Sequence, residues 1–296
     1  MGMPKDIGAI DCMIGFPEPD FAVYDFIRGQ LKDTESTDFE FPVEYMFKNV
    51  PKDLYGTDAD PVAVTLGEMD RFGIQYGLIG CEGELSQRAL RQHPDRFVPS
   101  ANVDPNDVVG EVAKLHRQKE EWDIRAVGAF PAGCVPQVDI DDPKFYPIYS
   151  TCCELDIPIF ICAGVPGPRL PMSPQFVERI DQVMYDFPEL TLVTRHGCEP
   201  WEDLMVKLML KWPGLHYSTS AFAPKYYPKA IINYANSRGA DKVLYAGYFP
   251  MGLSLERIFT DMTNVGFNDD VWPKFLRDNA TRLLKLEERP LGGSSR

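Results

Sequence analysis

The octapeptide "TRHGCEPW", residues 194–201, holds the side chains of this sequence best suited to proton transfer and anion binding. An imidazole such as that of His196 titrates near neutral pH, and the planar guanidinium of Arg195 matches a carboxylate. The motif predicts acid–base chemistry through His196, with Arg195 and Glu199 binding the substrate. Arg169 and Arg125 are further candidates for binding a carboxylate. The alternative is that His196 is a satisfied core residue and that the arginines are surface charges.

Two side chains elsewhere extend this candidate site. Cys162, in "PIFICAG", could pair with His196, which would make its sulfur a nucleophile, or it could be a buried thiol without reactivity. Tyr248, in "YAGYFP", could donate a hydrogen bond or a proton to a substrate, or it could fill space. Both are therefore candidate catalytic residues with a structural alternative.

The stretch "IDCMIG", residues 10–15, places Asp11, Met13 and Gly15 at alternate positions, which share one face of a strand. An ionised carboxylate is costly to bury without a partner, so Asp11 is either a hydrogen-bonded structural residue or a catalytic acid with a raised pKa. Met13 and Gly15 bring little bulk or polarity. This favours either a substrate pocket that they line or the compaction of an unused site.

The elements that must position these residues are eight short apolar runs that alternate with amphipathic stretches, as in successive βα units. Strands are predicted at 7–13, 76–79, 97–102, 124–130, 157–162, 190–194, 215–219 and 243–246. We expect an α/β fold, a single closed (β/α)8 TIM barrel over residues 1–288, with an extra C-terminal helix and a disordered tail at 289–296. A doubly wound open sheet is the alternative. The active site of such a barrel lies at the C-terminal ends of the strands, where the candidate residues fall.

A long segment without strong periodicity, residues 16–60, separates the first predicted strand from the first long helix. It is rich in proline and aromatic residues, and loops of this length are uncommon unless they have a function. The segment is predicted to be either a lid over the mouth of the barrel or a small helical excursion that only covers apolar surface.

Composition limits the possible partners. The chain has 296 residues, with 44 acidic against 30 basic ones and a net charge of −14, so nucleic acid and anionic membranes would be repelled. Its seven cysteines form no CxxC pair, which favours reduced thiols in the cytoplasm. The longest apolar stretch is far shorter than the ~18 residues that a membrane span needs. We expect a cytoplasmic protein whose partner is a small-molecule substrate, not nucleic acid or a membrane.

Several motifs in order, "IDCMIG", "HPDRFVPSANVDP", "RHGCEPW" and "DKVLYAGYFP", make the chain resemble the amidohydrolase-related family of aminocarboxymuconate-semialdehyde, resorcylate and carboxyvanillate decarboxylases. The resemblance implies a barrel enzyme with one divalent metal, held by two histidines of the first strand, a histidine of the fifth and an aspartate of the eighth. Those positions read Met13, Gly15, Cys162 and Tyr248 here. The histidine of the sixth strand, which handles protons in the decarboxylases, is retained as His196.

These substitutions argue against the usual metal centre. Zinc needs three or four imidazole, thiolate or carboxylate ligands, whereas glycine supplies none, a thioether is a poor ligand and tyrosinate is costly at neutral pH. An unorthodox site could use Asp11, Cys162 and His196. We expect no metal and no other cofactor.

Two functions of different classes follow. The first is a metal-independent enzyme that uses His196, with Tyr248 and Asp11, for decarboxylation, hydration or hydrolysis of a small carbonyl or carboxylate compound. The second is a catalytically inactive subunit or binding protein that assembles with an active paralogue. The expected assembly is a homo-oligomer or a hetero-oligomer with that paralogue.

Overall fold

The fold, seen in a computed structural model that describes residues 3–4, 7–18, 21–41, 43–47, 50–55 and 58–286, is built on one sheet of eight parallel strands in sequence order. Every predicted strand is present. The strands are β1 Ala9–Asp11, β2 Ile74–Gly80, β3 Phe97–Val103, β4 Ala126–Ala129, β5 Ile159–Cys162, β6 Leu192–Arg195, β7 Leu215–Ser218 and β8 Val243–Leu244. The proposed tail at 289–296 lies outside the described residues.

The sheet closes on itself just beyond the ends of β1 and β8. The backbone N–H of Cys12 donates to the carbonyl of Tyr245 at 3.2 Å, and the N–H of Tyr248 donates to the carbonyl of Met13 at 2.9 Å. These bonds join the last strand to the first, so the sheet forms a barrel. The predicted (β/α)8 barrel is confirmed, and the doubly wound open sheet is ruled out.

Helices lie outside the barrel and in its connections. Several begin where a side chain accepts a hydrogen bond from the first turn, as Asp60 does from the N–H of Val62 and Ser254 from that of Arg257, both at 3.3 Å. In the described part of the chain they are α1 Asp25–Arg28, α2 Thr34–Asp38, α3 Pro61–Arg71, α4 Glu84–Gln92, α5 Val108–Trp122, α6 Tyr146–Leu155, α7 Arg179–Asp186, α8 Glu202–Lys211, α9 Lys229–Tyr234, α10 Leu255–Met262, α11 Val271–Pro273 and α12 Asn279–Leu283.

The barrel interior is an apolar cluster that the C-terminal helix closes from below. Residues facing inward from the strands, such as Val98, Phe160 and Val193, pack with Ala280 and Leu284 near the end of the chain. The amide of Asn279 donates to the carbonyl of Val243, at the start of β8, at 2.9 Å. The predicted extra helix therefore plugs the N-terminal end of the barrel, which leaves the C-terminal end for a site.

Residues 21–41, 43–47 and 50–55 form what we call the covering segment, which contains α1, α2 and several single 3-10 turns. The hydroxyl of Tyr45 in this segment donates to the carbonyl of Gly167, in the loop after β5, at 2.5 Å. Arg169 of that loop lies 4.6 Å from the centre of the Tyr45 ring and pairs with Glu35 at 2.8 Å. The covering segment is thus attached across the mouth of the barrel.

No helix within the described ranges is long and apolar enough to cross a membrane. All seven cysteines are free thiols, as the absence of a paired pattern in the sequence predicted.

Candidate active site

A cavity of about 560 Å³ lies between the C-terminal ends of the strands and the covering segment. Its floor is formed by strand-end residues, and its roof by aromatic and aliphatic side chains of the covering segment. The residues that line it include Met13, Tyr24, Phe41, Phe47, Asn102, Asp104, Gly128, Phe130, Cys162, Arg195, His196, Phe222 and Tyr248. The covering segment therefore contributes directly to the candidate site.

Five of the ten candidate residues proposed from the sequence line this cavity. They come from β1, β5, β6 and β8 or the positions just after them, and they are Met13, Cys162, Arg195, His196 and Tyr248. The candidates that do not line it are Asp11, Gly15, Arg125, Arg169 and Glu199. The five that line it were found because the active sites of such barrels form at the strand ends.

Asp11 lies fully buried between β1 and β8 and does not line the cavity. Its Oδ1 accepts hydrogen bonds from the N–H groups of Met13 at 2.9 Å and Gly247 at 2.8 Å. A β-carbon at position 247 would come within 2.4 Å of Asp11 Oδ2, so only glycine fits there. The turn made by Asp11 ends β1, which is why the alternation expected through Met13 and Gly15 does not continue. Burial raises the pKa of Asp11 to about 7 against the effect of these bonds.

Gly15 and Glu199 take part in backbone contacts near the mouth. The N–H of Gly15 donates to the carbonyl of Phe249 at 2.8 Å, and the carbonyl of Glu199 accepts from the N–H of Val165 at 2.9 Å. Burial, followed by the nearby Glu202, raises the pKa of the Glu199 carboxyl. Both residues hold loops in place around the cavity.

His196 is fixed by the buried hydroxyl of Ser220. The backbone N–H of His196 donates to Ser220 Oγ at 3.2 Å, and the imidazole Nδ1 lies 3.1 Å from the same oxygen. Because this oxygen already accepts one bond, its hydrogen is best used by donating to Nδ1, which assigns the imidazole proton to Nε2. Burial and then the charge of Arg195 lower the pKa of His196 to about 3, so the free protein holds a neutral imidazole.

The backbone is strained where three strands reach the cavity. His196, Ala221 and Tyr248 have φ angles of +65°, +71° and +70°, in the left-handed region that side chains other than glycine rarely adopt. All three line the cavity. Such conformations are retained where the surrounding structure imposes them, and they cluster at functional sites.

Tyr248 and Cys162 are both held in their protonated forms by burial. The Tyr248 ring meets the His196 ring edge-on at 5.3 Å and stacks on Phe47 at 6.0 Å, and burial raises the pKa of its hydroxyl. Burial also raises the pKa of the Cys162 thiol to about 12. The imidazole Nδ1 of His196 is engaged by Ser220, and no hydrogen bond joins Cys162 to His196 among the described residues. The arrangement lacks the base that a nucleophilic cysteine needs.

The three arginines have different surroundings. Arg195 lies in the cavity, whereas Arg169 pairs with Asp33 and Glu35 of the covering segment. Arg125 donates to the carbonyl of Lys285 at 3.1 Å, near the plugged end of the barrel. Only Arg195 is therefore placed to meet a ligand in this cavity.

Sequence reasoning assigned no role to Asn102 and Gly128, which also line the cavity. A β-carbon at position 128 would lie 2.6 Å from Asn102 Oδ1 and 2.9 Å from Arg195 Nη1. Asn102 ends a predicted strand, which was a usable signal. The part played by Gly128 depends on the neighbouring strands and could not be seen in the sequence.

The family model described as Amidohydrolase matches residues 25–286. The chain belongs to the amidohydrolase family. No curated protein sequence matches it.

Solved structures share the fold. A TIM-barrel protein from Bordetella bronchiseptica is 23% identical over 94% of this chain and 98% of its own, with a TM-score of 0.72. The 5-carboxyvanillate decarboxylase of Novosphingobium aromaticivorans, solved with manganese, is 16% identical over 96% and 98%, with a TM-score of 0.66. The 2,6-dihydroxybenzoate decarboxylase from Rhizobium is 16% identical over 94% and 99%, with a TM-score of 0.62.

The side chains of this family member do not fit a divalent metal at the positions that the resemblance implied. Met13, Cys162 and Tyr248 offer a thioether, a protonated thiol and a protonated phenol, and Gly15 offers no side chain. The alternative set of Asp11, Cys162 and His196 does not converge, because Cys162 and His196 line the cavity and Asp11 does not. No cluster of three potential ligands of the histidine, cysteine or carboxylate type occurs in the part of the chain that is described.

Proposed function

We propose that this amidohydrolase-family protein is a lyase that removes CO2 from a small carboxylic acid, with His196 as its acid–base group and without a metal. One observation carries the proposal: the imidazole of His196 is held by Ser220 at the floor of an apolar cavity, on a strained backbone. Two proteins of the same fold are decarboxylases by name, which supports decarboxylation over hydration or hydrolysis.

The reaction needs a proton for the carbon that loses the carboxylate. In the free protein His196 is neutral, since burial and the charge of Arg195 both disfavour its protonated form. A bound carboxylate would oppose the charge of Arg195, raise the pKa of His196 and allow Nδ1 to take up a second proton from solvent, with the Ser220 hydroxyl turning to accept from Nδ1. His196 then gives its Nε2 proton to the carbon, the bond from this carbon to the carboxylate breaks, and CO2 leaves. The substrate must therefore have an electron-rich carbon, such as the ring carbon of a hydroxybenzoate.

The test is a turnover assay with 2,6-dihydroxybenzoate and 5-carboxyvanillate, using protein treated with a chelator. We expect loss of substrate with release of CO2, and we expect His196→Ala to reduce kcat by about 100-fold or more, the usual size of an acid–base contribution. His116→Ala is the matched control, because His116 lies on the outside of α5 and its Nε2 lies 3.9 Å from Glu154. Full activity of His196→Ala, or loss of wild-type activity on chelation, contradicts the proposal.

A further inference from the structure

We infer that Arg195 is a built-in cation that binds the carboxylate of the ligand, at the place where the family resemblance implies a metal. Its Cα is paired in register with that of Cys162, one of the positions that the resemblance assigns to the metal. The inference deepens the proposed function, on which it rests only in identifying the ligand as the substrate.

The position of the guanidinium is defined by its neighbours. It lies 5.2 Å from the centre of the Phe160 ring, which faces the barrel interior beneath it. The missing side chain at Gly128 provides the space for Arg195 Nη1 on the other side, because a β-carbon there would come within 2.9 Å. The charge is thus held at the floor of the cavity.

This cation has no partner of opposite charge in the described structure. Arg195 Nε is buried without a hydrogen-bond partner, and no carboxylate among the described residues is within ion-pair distance of the guanidinium. Asp104 lines the same cavity, but its Oδ1 accepts bonds from both the backbone N–H and the side-chain amide of Asn106 at 3.0 Å. Buried charges are normally paired, so an unpaired guanidinium in a cavity is a site for an anion.

The surroundings favour a carboxylate attached to a flat apolar group. The planar fork of arginine binds two carboxylate oxygens at once, and the apolar lining reduces competition from water. Aromatic rings of Phe47, Phe130, Phe222 and Tyr248 border the space above. The net charge of −14 gives no overall attraction for anions, so binding depends on this local cation.

Benzoate and benzamide are suitable probes, since they have nearly the same shape and differ in charge. By calorimetric titration we expect the wild-type protein to bind benzoate roughly 10- to 100-fold more tightly than benzamide, the range expected for charge-assisted hydrogen bonds. Arg195→Met should abolish this preference, and Arg195→Lys should retain only part of it. The matched control, Arg125→Met, should retain it fully.

The outcomes separate this inference from the proposed function. Wild-type protein that binds both probes equally contradicts the inference without any variant, which covers the case in which Arg195→Met does not fold. Benzoate binding by a folded Arg195→Met at the wild-type affinity also contradicts it. Wild-type protein that prefers benzoate to benzamide but decarboxylates neither test acid contradicts the proposed function alone, and the carboxylate site at Arg195 remains supported.

Discussion

Ser220 is the residue that converts a buried histidine into an oriented one. Its hydroxyl interacts with both the backbone N–H and Nδ1 of His196, and it is itself buried. A histidine held by one partner on one side presents its other nitrogen to the cavity. The direction of His196 Nε2 therefore depends on one atom, the hydroxyl oxygen of Ser220.

Ser220→Ala is expected to lower kcat about tenfold in the decarboxylation assay, because two donor or acceptor groups of His196 lose their partner. KM should change little, since Ser220 does not line the cavity. Ser220→Thr, which restores a hydroxyl, should recover most of the rate. Ser218→Ala is the control, because that buried hydroxyl donates to the carbonyl of Thr194 at 2.8 Å and does not contact His196. Equal rates for Ser220→Ala and wild type would show that the imidazole needs no such support.

The sequence predicted the positions of several cavity residues better than it predicted their contacts. His196, Arg195 and Tyr248 could be placed because they follow predicted strands. Asp11 could not, since its own side chain makes the turn that ends β1. The surroundings of Cys162 could not be predicted either, because they depend on contacts between strands that a single sequence does not show.

The covering segment is the element that turns an open strand-end surface into a cavity. The described part of residues 16–60 contains short helices, and its apolar side chains also line the cavity. α1 and α2 have four and five residues, too few to show a helical period in the sequence. The eight strands, by contrast, were each visible as a compact apolar run.

Arg169→Ala should loosen the covering segment without unfolding the barrel. The substitution removes the ion pairs to Asp33 and Glu35 and the contact with the Tyr45 ring. Exposed pairs of this kind are screened by solvent and contribute little to stability, so the free energy of unfolding should fall only slightly. Hydrogen–deuterium exchange of peptides from residues 21–55 should nevertheless become several-fold faster.

Arg179→Ala is the matched control for that experiment. Arg179 also pairs with two carboxylates, Asp139 at 2.9 Å and Asp141 at 2.7 Å, but neither belongs to the covering segment. Exchange in residues 21–55 should remain at the wild-type rate in this variant. If both variants accelerate exchange there equally, the attachment through Arg169 is not what holds the segment.

For the whole molecule, buried titratable groups link stability to pH in two opposite directions. Burial lowers the pKa of both His196 and His216 to about 3, below the ordinary value of 6.5. Between these values the unfolded chain binds more protons, so each histidine makes stability rise with pH. Burial raises the pKa of Asp11 from 3.8 to about 7, so the folded chain binds more protons in that interval. Asp11 therefore makes stability fall as pH rises.

Two histidines act in one direction and one carboxyl in the other, so the three groups together make stability rise with pH between about pH 4 and 6.5. Urea unfolding of Asp11→Asn, which keeps an oxygen for the N–H groups of Met13 and Gly247, should show a steeper rise than the wild-type protein. His216→Asn should show a shallower rise, and it tests the histidine contribution away from the cavity. Because other carboxylates contribute alike to all three proteins, the differences in slope isolate these groups. Identical slopes would contradict this prediction. They would mean that Asp11 and His216 keep their ordinary pKa values in the folded barrel, and that water reaches the Asp11 carboxyl between β1 and β8.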